Sequence, residues 1–196
     1  MTEKKTAKAG DGRRARSARS RGAILKAMIE LIAEGILVPT AQSVSDRAGV
    51  GIRTVFRHFD DMESLFSLVT EEIYIESTPL IIGGDRTGSL EIRVHHGVDC
   101  RIQVYEKHQN ILLSGRSQRW EYKILRDMYA GLQKNLRADF DHLVPELKEL
   151  SVVDREAVDA SVSFEMWRRL TELQGLDAAT TRQVMIKMVS VVIPLN

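Results

Sequence analysis

Two short runs with helical spacing, separated by one glycine, constrain the fold of this chain more than any other feature. They occupy Thr40 to Phe59, which reads TAQSVSDRAGVGIRTVFRHF. Thr40 is a good N-cap for the first run, about residues 41–48. Gly49 allows the positive φ of a sharp turn before the second run, about residues 52–59. The pattern predicts a helix-turn-helix, a motif whose second helix enters the major groove of DNA.

The rest of the chain also shows helical periodicity. Apolar spacing predicts one helix from Ile24 to Gly35 and another over about Asp61–Ser77. Four more helices are expected at about residues 89–109, 117–143, 154–174 and 178–193. Because no segment has the alternation of a strand, we expect an all-α fold. It comprises an N-terminal three-helix helix-turn-helix domain and a larger helical domain.

Composition and charge divide the chain further. Residues 1–20 hold seven Lys or Arg and no large apolar residue beyond Met1, which predicts a basic flexible tail. Pro79 and the glycine-rich run at 83–88 indicate a boundary, so residues 21–76 form the predicted DNA-binding domain with its connecting helix. Residues 77–196 form the predicted ligand-binding and dimerisation domain.

The charge is distributed unevenly over these parts. Residues 1–59 contain 12 Lys and Arg against 5 Asp and Glu, whereas residues 60–196 contain 16 against 22. A basic front is typical of a part that meets a polyanion. The single cysteine excludes a disulfide scaffold and multi-thiolate metal sites. We find no catalytic motif and expect no enzyme activity, no metal, no cofactor, no membrane span and a cytoplasmic location.

The helix-turn-helix residues resemble the tetracycline-repressor (TetR) family of bacterial transcriptional regulators. The matching positions are Thr40, Val44, Ser45, Ala48, Gly49, Val50, Gly51, Thr54, Val55, Phe56, His58, Phe59, Met62 and Leu65. The resemblance covers about residues 21–70. It implies a homodimer that binds a palindromic double-stranded DNA operator and a small-molecule effector.

Four residues depart from the family pattern. Gly51 replaces a serine that caps the recognition helix, and Ser45 replaces an alanine. Phe56 stands where the family has a tyrosine, and Met62 stands where the family has a lysine. In the family, this tyrosine and this lysine commonly contact DNA phosphates. We expect the basic tail to compensate, by tracking the DNA backbone or entering the minor groove.

The DNA-binding residues divide by chemistry. Arg53, at the front of the recognition helix, is the best candidate for a base contact, because a guanidinium pairs with the O6/N7 edge of guanine. Thr40, Thr54, Arg57 and His58 are better candidates for phosphate contacts. The full set of predicted DNA-binding residues is Thr40, Gly51, Ile52, Arg53, Thr54, Phe56, Arg57, His58, Arg19 and Arg21.

The last two predicted helices are candidates for the dimer interface. The final helix is apolar nearly all round, and the helix before it contributes Val158, Val162, Met166 and Leu170. A helix of this kind must be buried on more than one side. A four-helix bundle, two helices from each chain, would bury it. The alternative is a central helix of a monomer.

Charged residues within apolar stripes mark a possible ligand cavity. Arg101 lies in one such stripe, and Glu121 and Glu165 lie in others. Three interpretations are open: Arg101 forms an internal ion pair with one of the two glutamates, these groups orient a polar ligand, or they are simply exposed at the surface. The candidate ligand-binding residues are Arg101, Tyr105, Trp120, Glu121, Ile124, Met128, Val162, Glu165 and Met166.

The sequence therefore predicts a ligand-responsive transcriptional regulator, most simply a repressor that a small molecule releases from DNA. The sequence does not encode the sign of regulation, so activation is also open. Two other classes compete with this reading. One is a dimeric ligand- or partner-binding protein of the same fold that has lost specific DNA binding, and the other is an α-helical enzyme.

Overall fold

The computed structural model describes residues 4–195, with side chains from Gly12 onward. All regular elements in this range are helical, so the predicted all-α fold is confirmed. The α-helices are α1 (Lys4–Ala33), α2 (Ala41–Ala48), α3 (Ile52–His58), α4 (Met62–Ile82), α5 (Leu90–Gln118), α6 (Lys123–Leu143), α7 (Val152–Ser161), α8 (Phe164–Arg168) and α9 (Ala178–Val192). A 3₁₀ turn spans Pro145–Glu149, and a π turn, Arg169–Leu173, follows α8.

Several helices differ from their predicted bounds. α4 continues past Ser77 through Pro79 to Ile82, and α6 begins at Lys123 rather than at about residue 117. α1 begins at Lys4, so the described part of the predicted flexible tail is helical. Its many Ala, Lys and Arg residues favour helix, and extending an existing helix avoids the cost of nucleation. α5 continues to Gln118 through a break at His108 (φ −122°, ψ 18°). The predicted helix over 154–174 is divided, because Ser163 caps a new helix by accepting from Met166 N–H.

The chain forms two compact units that do not coincide with the predicted domains. Unit 1 contains the described residues up to Ile73 together with Asn110–Met128, and unit 2 contains the remainder. Ile111 and Leu125 belong to the same apolar core as α1 to α4. The Asn110 side chain donates to Ala33 O at 2.8 Å. The middle of the chain is therefore part of the helix-turn-helix unit.

Unit 2 has its own core around the aromatic side chain of Tyr105. The Tyr105 hydroxyl donates to Val162 O at 2.8 Å, and its ring lies 5.4 Å from Phe164 and 5.8 Å from Trp167. Gly97 permits close packing of α5 on α6, because a Cβ there would lie 2.5 Å from the Phe140 ring. Ion pairs join helices and turns at Arg86–Asp139, Arg93–Glu146, Arg155–Asp141 and Arg182–Asp99.

In the described part of the chain, none of the helices has the length and apolar character needed to cross a membrane.

Candidate nucleic-acid interface

Local hydrogen bonds fix both ends of α2. Thr40 and Ser43 form a capping box, in which Ser43 N–H donates to Thr40 Oγ1 and Thr40 N–H donates to Ser43 Oγ. At the other end Gly49 is left-handed (φ 65°, ψ 33°), and its N–H donates to Asp46 O at 3.3 Å. A side chain at Gly49 would be strained by this φ. The predicted cap and turn are both confirmed.

The serine that departs from the family pattern holds the turn. Ser45 is only 3% exposed, and its hydroxyl donates to Val50 O at 2.7 Å. Ser45 O in turn accepts from Val50 N–H at 3.1 Å. An alanine could not make the first of these bonds. Ser45 thus fastens the residue after Gly49 to α2, just before α3 begins.

The burial of one side of α3 determines which residues face outward. Val55 is 1% exposed and packs into the unit 1 core. Ile52, Arg53, Phe56 and Arg57 recur at one- and four-residue spacing, and all four are exposed. This set, which we call the α3 face, combines two cations with two apolar side chains. Gly51, next to it, caps α3 without a side-chain hydrogen bond, as predicted.

Among the residues whose side chains the structure describes, none neutralises the positive charge of the α3 face. None of the described side chains forms an ion pair with Arg53 or Arg57. In contrast, Arg47 on α2 donates two hydrogen bonds to Glu34 at 2.8 and 2.6 Å and also lies 3.7 Å from Glu30. Arg47 thereby fastens α2 to α1. The α3 face is left with charge available for an anionic partner.

The end of α3 lies against α1 through Arg21. The Arg21 guanidinium is 5.3 Å from the centroid of the Phe59 ring. Burial lowers the pKa of the neighbouring His58 below its ordinary value of 6.5, and Arg57 and Arg21 lower it further. We therefore expect a neutral His58 at pH 7. A neutral ring can donate a hydrogen bond to a phosphate but does not attract it by charge. Arg19 is exposed and donates from Nε to Ala15 O at 3.4 Å.

The fold is similar to that of two solved structures. One is a transcriptional regulator from Rhodococcus sp. Rha1, with a TM-score of 0.69 and 11% identity over 90% of this chain and 95% of that one. The other, from Rhodococcus sp., is assigned to the TetR family of transcriptional regulators. Its TM-score is 0.67 at 19% identity, over 88% of this chain and 98% of that one. No protein-family model matches this sequence, and no curated protein matches it significantly.

This chain has the TetR fold. The resemblance first seen in the helix-turn-helix residues is confirmed at the level of the whole fold.

The predicted ligand-binding residues of this chain are divided between the two units. Trp120, Glu121, Ile124 and Met128 belong to unit 1. Trp120 is 75% exposed, with the Arg119 guanidinium 4.9 Å from its ring, and Ile124 is 43% exposed. Met128 packs against the unit 1 core. The first three do not form the walls of an enclosed cavity within their unit.

The other predicted ligand residues lie in unit 2, where they make protein contacts. Arg101 is 5% exposed, donates to Leu136 O at 2.7 Å and lies 5.2 Å from the Phe140 ring. These contacts take the place of the predicted ion pair with Glu121 or Glu165. Glu165 accepts from the Tyr129 hydroxyl at 2.7 Å. Tyr105 and Val162 are buried in the core and Met166 is half-buried.

The predicted dimer surface also needs correction. Val158, Val162 and Leu170 are at most 3% exposed within their own chain, so they are not available to a second one. On α9, Met185 and Val189 are buried, whereas Val191 is 72% exposed.

Proposed function

We propose that this protein is a DNA-binding transcriptional regulator that reads its operator with α3. The observation that carries the proposal is the α3 face, whose two exposed arginines form no ion pair with a described side chain, on a helix whose opposite side anchors the domain. The TetR fold, which this chain shares with solved transcriptional regulators, adds support.

Each predicted DNA-binding residue has a proposed role. Arg53 reads a guanine edge in the major groove. Ile52 and Phe56 supply apolar contact to bases, since thymine presents a methyl group there. Gly51 permits close approach of the backbone. Contacts that position the protein on phosphates are assigned to Thr40, Thr54, Arg57, Arg19 and Arg21, and His58 serves as a neutral hydrogen-bonding group.

We further propose a homodimer, in which the exposed side of α9 contributes Val184, Met188 and Val191. These positions recur at four- and three-residue spacing, and Val191 is among the most exposed apolar side chains of the chain. A twofold dimer would place its two α3 helices on half-sites roughly 34–36 Å apart or a multiple of this distance. The operator is therefore expected to be palindromic.

Regulation by a small-molecule effector, with release from DNA as the simplest outcome, completes the proposal. The helices α4, α5 and α6 each contribute residues to both units, and we take α4 as the coupling element because it follows α3 directly in the chain. An effector can shift the protein out of its DNA-binding state only through a difference in affinity for the two states.

The test begins with selection of the highest-affinity sequence from a random 30-base-pair library. Fluorescence anisotropy on that sequence then compares three single variants. Arg53→Ala should lose roughly 1–3 kcal/mol and relax preference at one base pair. Arg57→Ala should weaken binding to all sequences and, by removing one phosphate contact from each protomer, reduce the salt slope by about two. The control Arg169→Ala removes an exposed arginine in unit 2 and should change neither.

A second candidate function is a dimeric ligand- or partner-binding protein that has lost specific DNA binding. The observation favouring it is the loss of the family's capping serine at Gly51 and of its two phosphate contacts at Phe56 and Met62. If the selection enriches no palindromic sequence and Arg53→Ala binds DNA as the native protein does, this second candidate replaces the first.

A further inference from the structure

The N-terminal part of α1 extends well beyond the domain that it belongs to. The first core residue of α1 is Ile24, although the helix begins at Lys4. The twenty residues before Ile24 span about 30 Å at about 1.5 Å per residue. From residue 12 to residue 19 every side chain is exposed. We call residues 4–21 the α1 arm.

The α1 arm is strongly cationic. Its sequence holds eight Lys and Arg and a single acidic residue, Asp11. In a free helix, like charges three and four residues apart destabilise each other. The arm also has no apolar face with which to pack on protein. A polyanion is the partner that these properties fit.

Contacts at the base of the arm connect it to the recognition helix. Arg21 lies on the Phe59 ring, one residue beyond the end of α3. Arg21 and Arg57 are both close enough to His58 to lower its pKa. The positive surface therefore continues from the α3 face through Arg57 and Arg21 onto the arm.

We infer that the α1 arm is a second DNA-binding surface, which lies as a helix on phosphates next to the sequence that α3 reads. This inference rests on the proposed function. An α-helix is about 10 Å or more across, whereas the minor groove of B-DNA is about 6 Å wide. The arm as a helix thus contacts the sugar-phosphate backbone and adds affinity without sequence preference.

The helical geometry limits how many arginines reach one duplex. Arg14 and Arg21 are seven residues apart and share one side of α1, whereas Arg16 and Arg19 share the opposite side. About two of them can face a single duplex in each protomer. A plot of the logarithm of the binding constant against the logarithm of the salt concentration steepens by about 0.9 for each phosphate contact. About two contacts in each of two protomers therefore add about four to the slope.

The experiment uses the full-length protein and two duplexes. One carries the selected operator with flush ends, and the other carries it with about ten added base pairs on each side, since about 30 Å corresponds to about nine base pairs. The arm variant keeps the helix but removes four charges, as Arg13→Gln, Arg14→Gln, Arg16→Gln and Arg19→Gln. A matched control removes four exposed charges elsewhere, as Arg126→Gln, Lys134→Gln, Lys148→Gln and Arg169→Gln.

We expect the native protein to bind the extended duplex more tightly than the flush one, and the arm variant to bind both alike. Because the arm variant keeps Arg21, it loses at least one phosphate contact in each protomer, so between 50 and 200 mM salt the native protein should lose at least about tenfold more affinity for the extended duplex than the arm variant does. The control variant should behave as the native protein.

Two results would overturn the inference, and they are distinguishable from each other. If specific binding is intact but the arm variant keeps the native salt slope and length dependence, the arm is not a DNA-binding surface and the proposed function stands. If the native protein selects no operator, the proposed function fails and the inference fails with it. Circular dichroism of each variant confirms that α1 is retained.

Discussion

Replacing Ser45 with alanine would restore the residue of the TetR pattern, yet we expect it to destabilise this protein. The Ser45 hydroxyl is buried and donates to Val50 O at 2.7 Å. Losing this bond and leaving the carbonyl without that donor should cost roughly 1–3 kcal/mol. Alanine returns about 0.5 kcal/mol through its higher helix propensity. The net loss should be about 0.5–2.5 kcal/mol.

Ser67→Ala provides the matched control. Ser67 is a half-buried helical serine whose hydroxyl donates to Ser64 O at 2.9 Å, within its own helix. Its replacement should be neutral or slightly stabilising. Thermal unfolding followed by circular dichroism measures both variants, and a loss of 1 kcal/mol lowers Tm by about 2–4 °C at this chain length. If Ser45→Ala were as stable as Ser67→Ala, the turn would not depend on this hydrogen bond.

Three further predictions concern other positions. Gly51→Ser should raise the free energy of unfolding by about 0.5–1 kcal/mol, seen as a higher urea midpoint, because a Cβ there meets open space and the new hydroxyl can cap α3; an unchanged midpoint would contradict this reasoning. Tyr105→Phe should lose about 1–2 kcal/mol in urea unfolding, because it removes the buried donor to Val162 O; equal stability would show that the carbonyl finds another partner. Burial lowers the pKa of His108 below 6.5, so the unfolded chain binds more protons as the pH falls and native stability should decline below about pH 6.5. His108→Leu should flatten this decline in urea midpoints measured from pH 7.5 to 5, and a slope like that of the native protein would exclude His108 as its source.

The helix-turn-helix could be predicted from the sequence because its determinants are local. The Thr40 side chain caps α2 by accepting a hydrogen bond from the backbone N–H of Ser43, three residues ahead. The turn at Gly49 can be predicted because glycine adopts a positive φ without strain. The exposure of Arg53 opposite the buried Val55 follows from helical periodicity. Each of these signals lies within a few consecutive residues.

The ligand and dimer residues could not be predicted in the same way. Apolar spacing marks Val162 and Leu170 as buried but does not distinguish burial inside one chain from burial against a second. Similarly, the guanidinium of Arg101 bonds to Leu136 O, 35 residues away, and nothing near Arg101 in the sequence identifies that acceptor.

By itself, therefore, the sequence determined that this protein is all-α and that a two-helix motif presents Arg53 and Arg57 outward. Only the tertiary structure decided that Asn110–Met128 packs with that motif, that Ser163 divides a predicted helix, and that the arginines before Ile24 lie on a helix. Capping and amphipathic periodicity act over about four residues and are visible in the chain. The partners of a buried side chain depend on which distant segments meet in the folded protein.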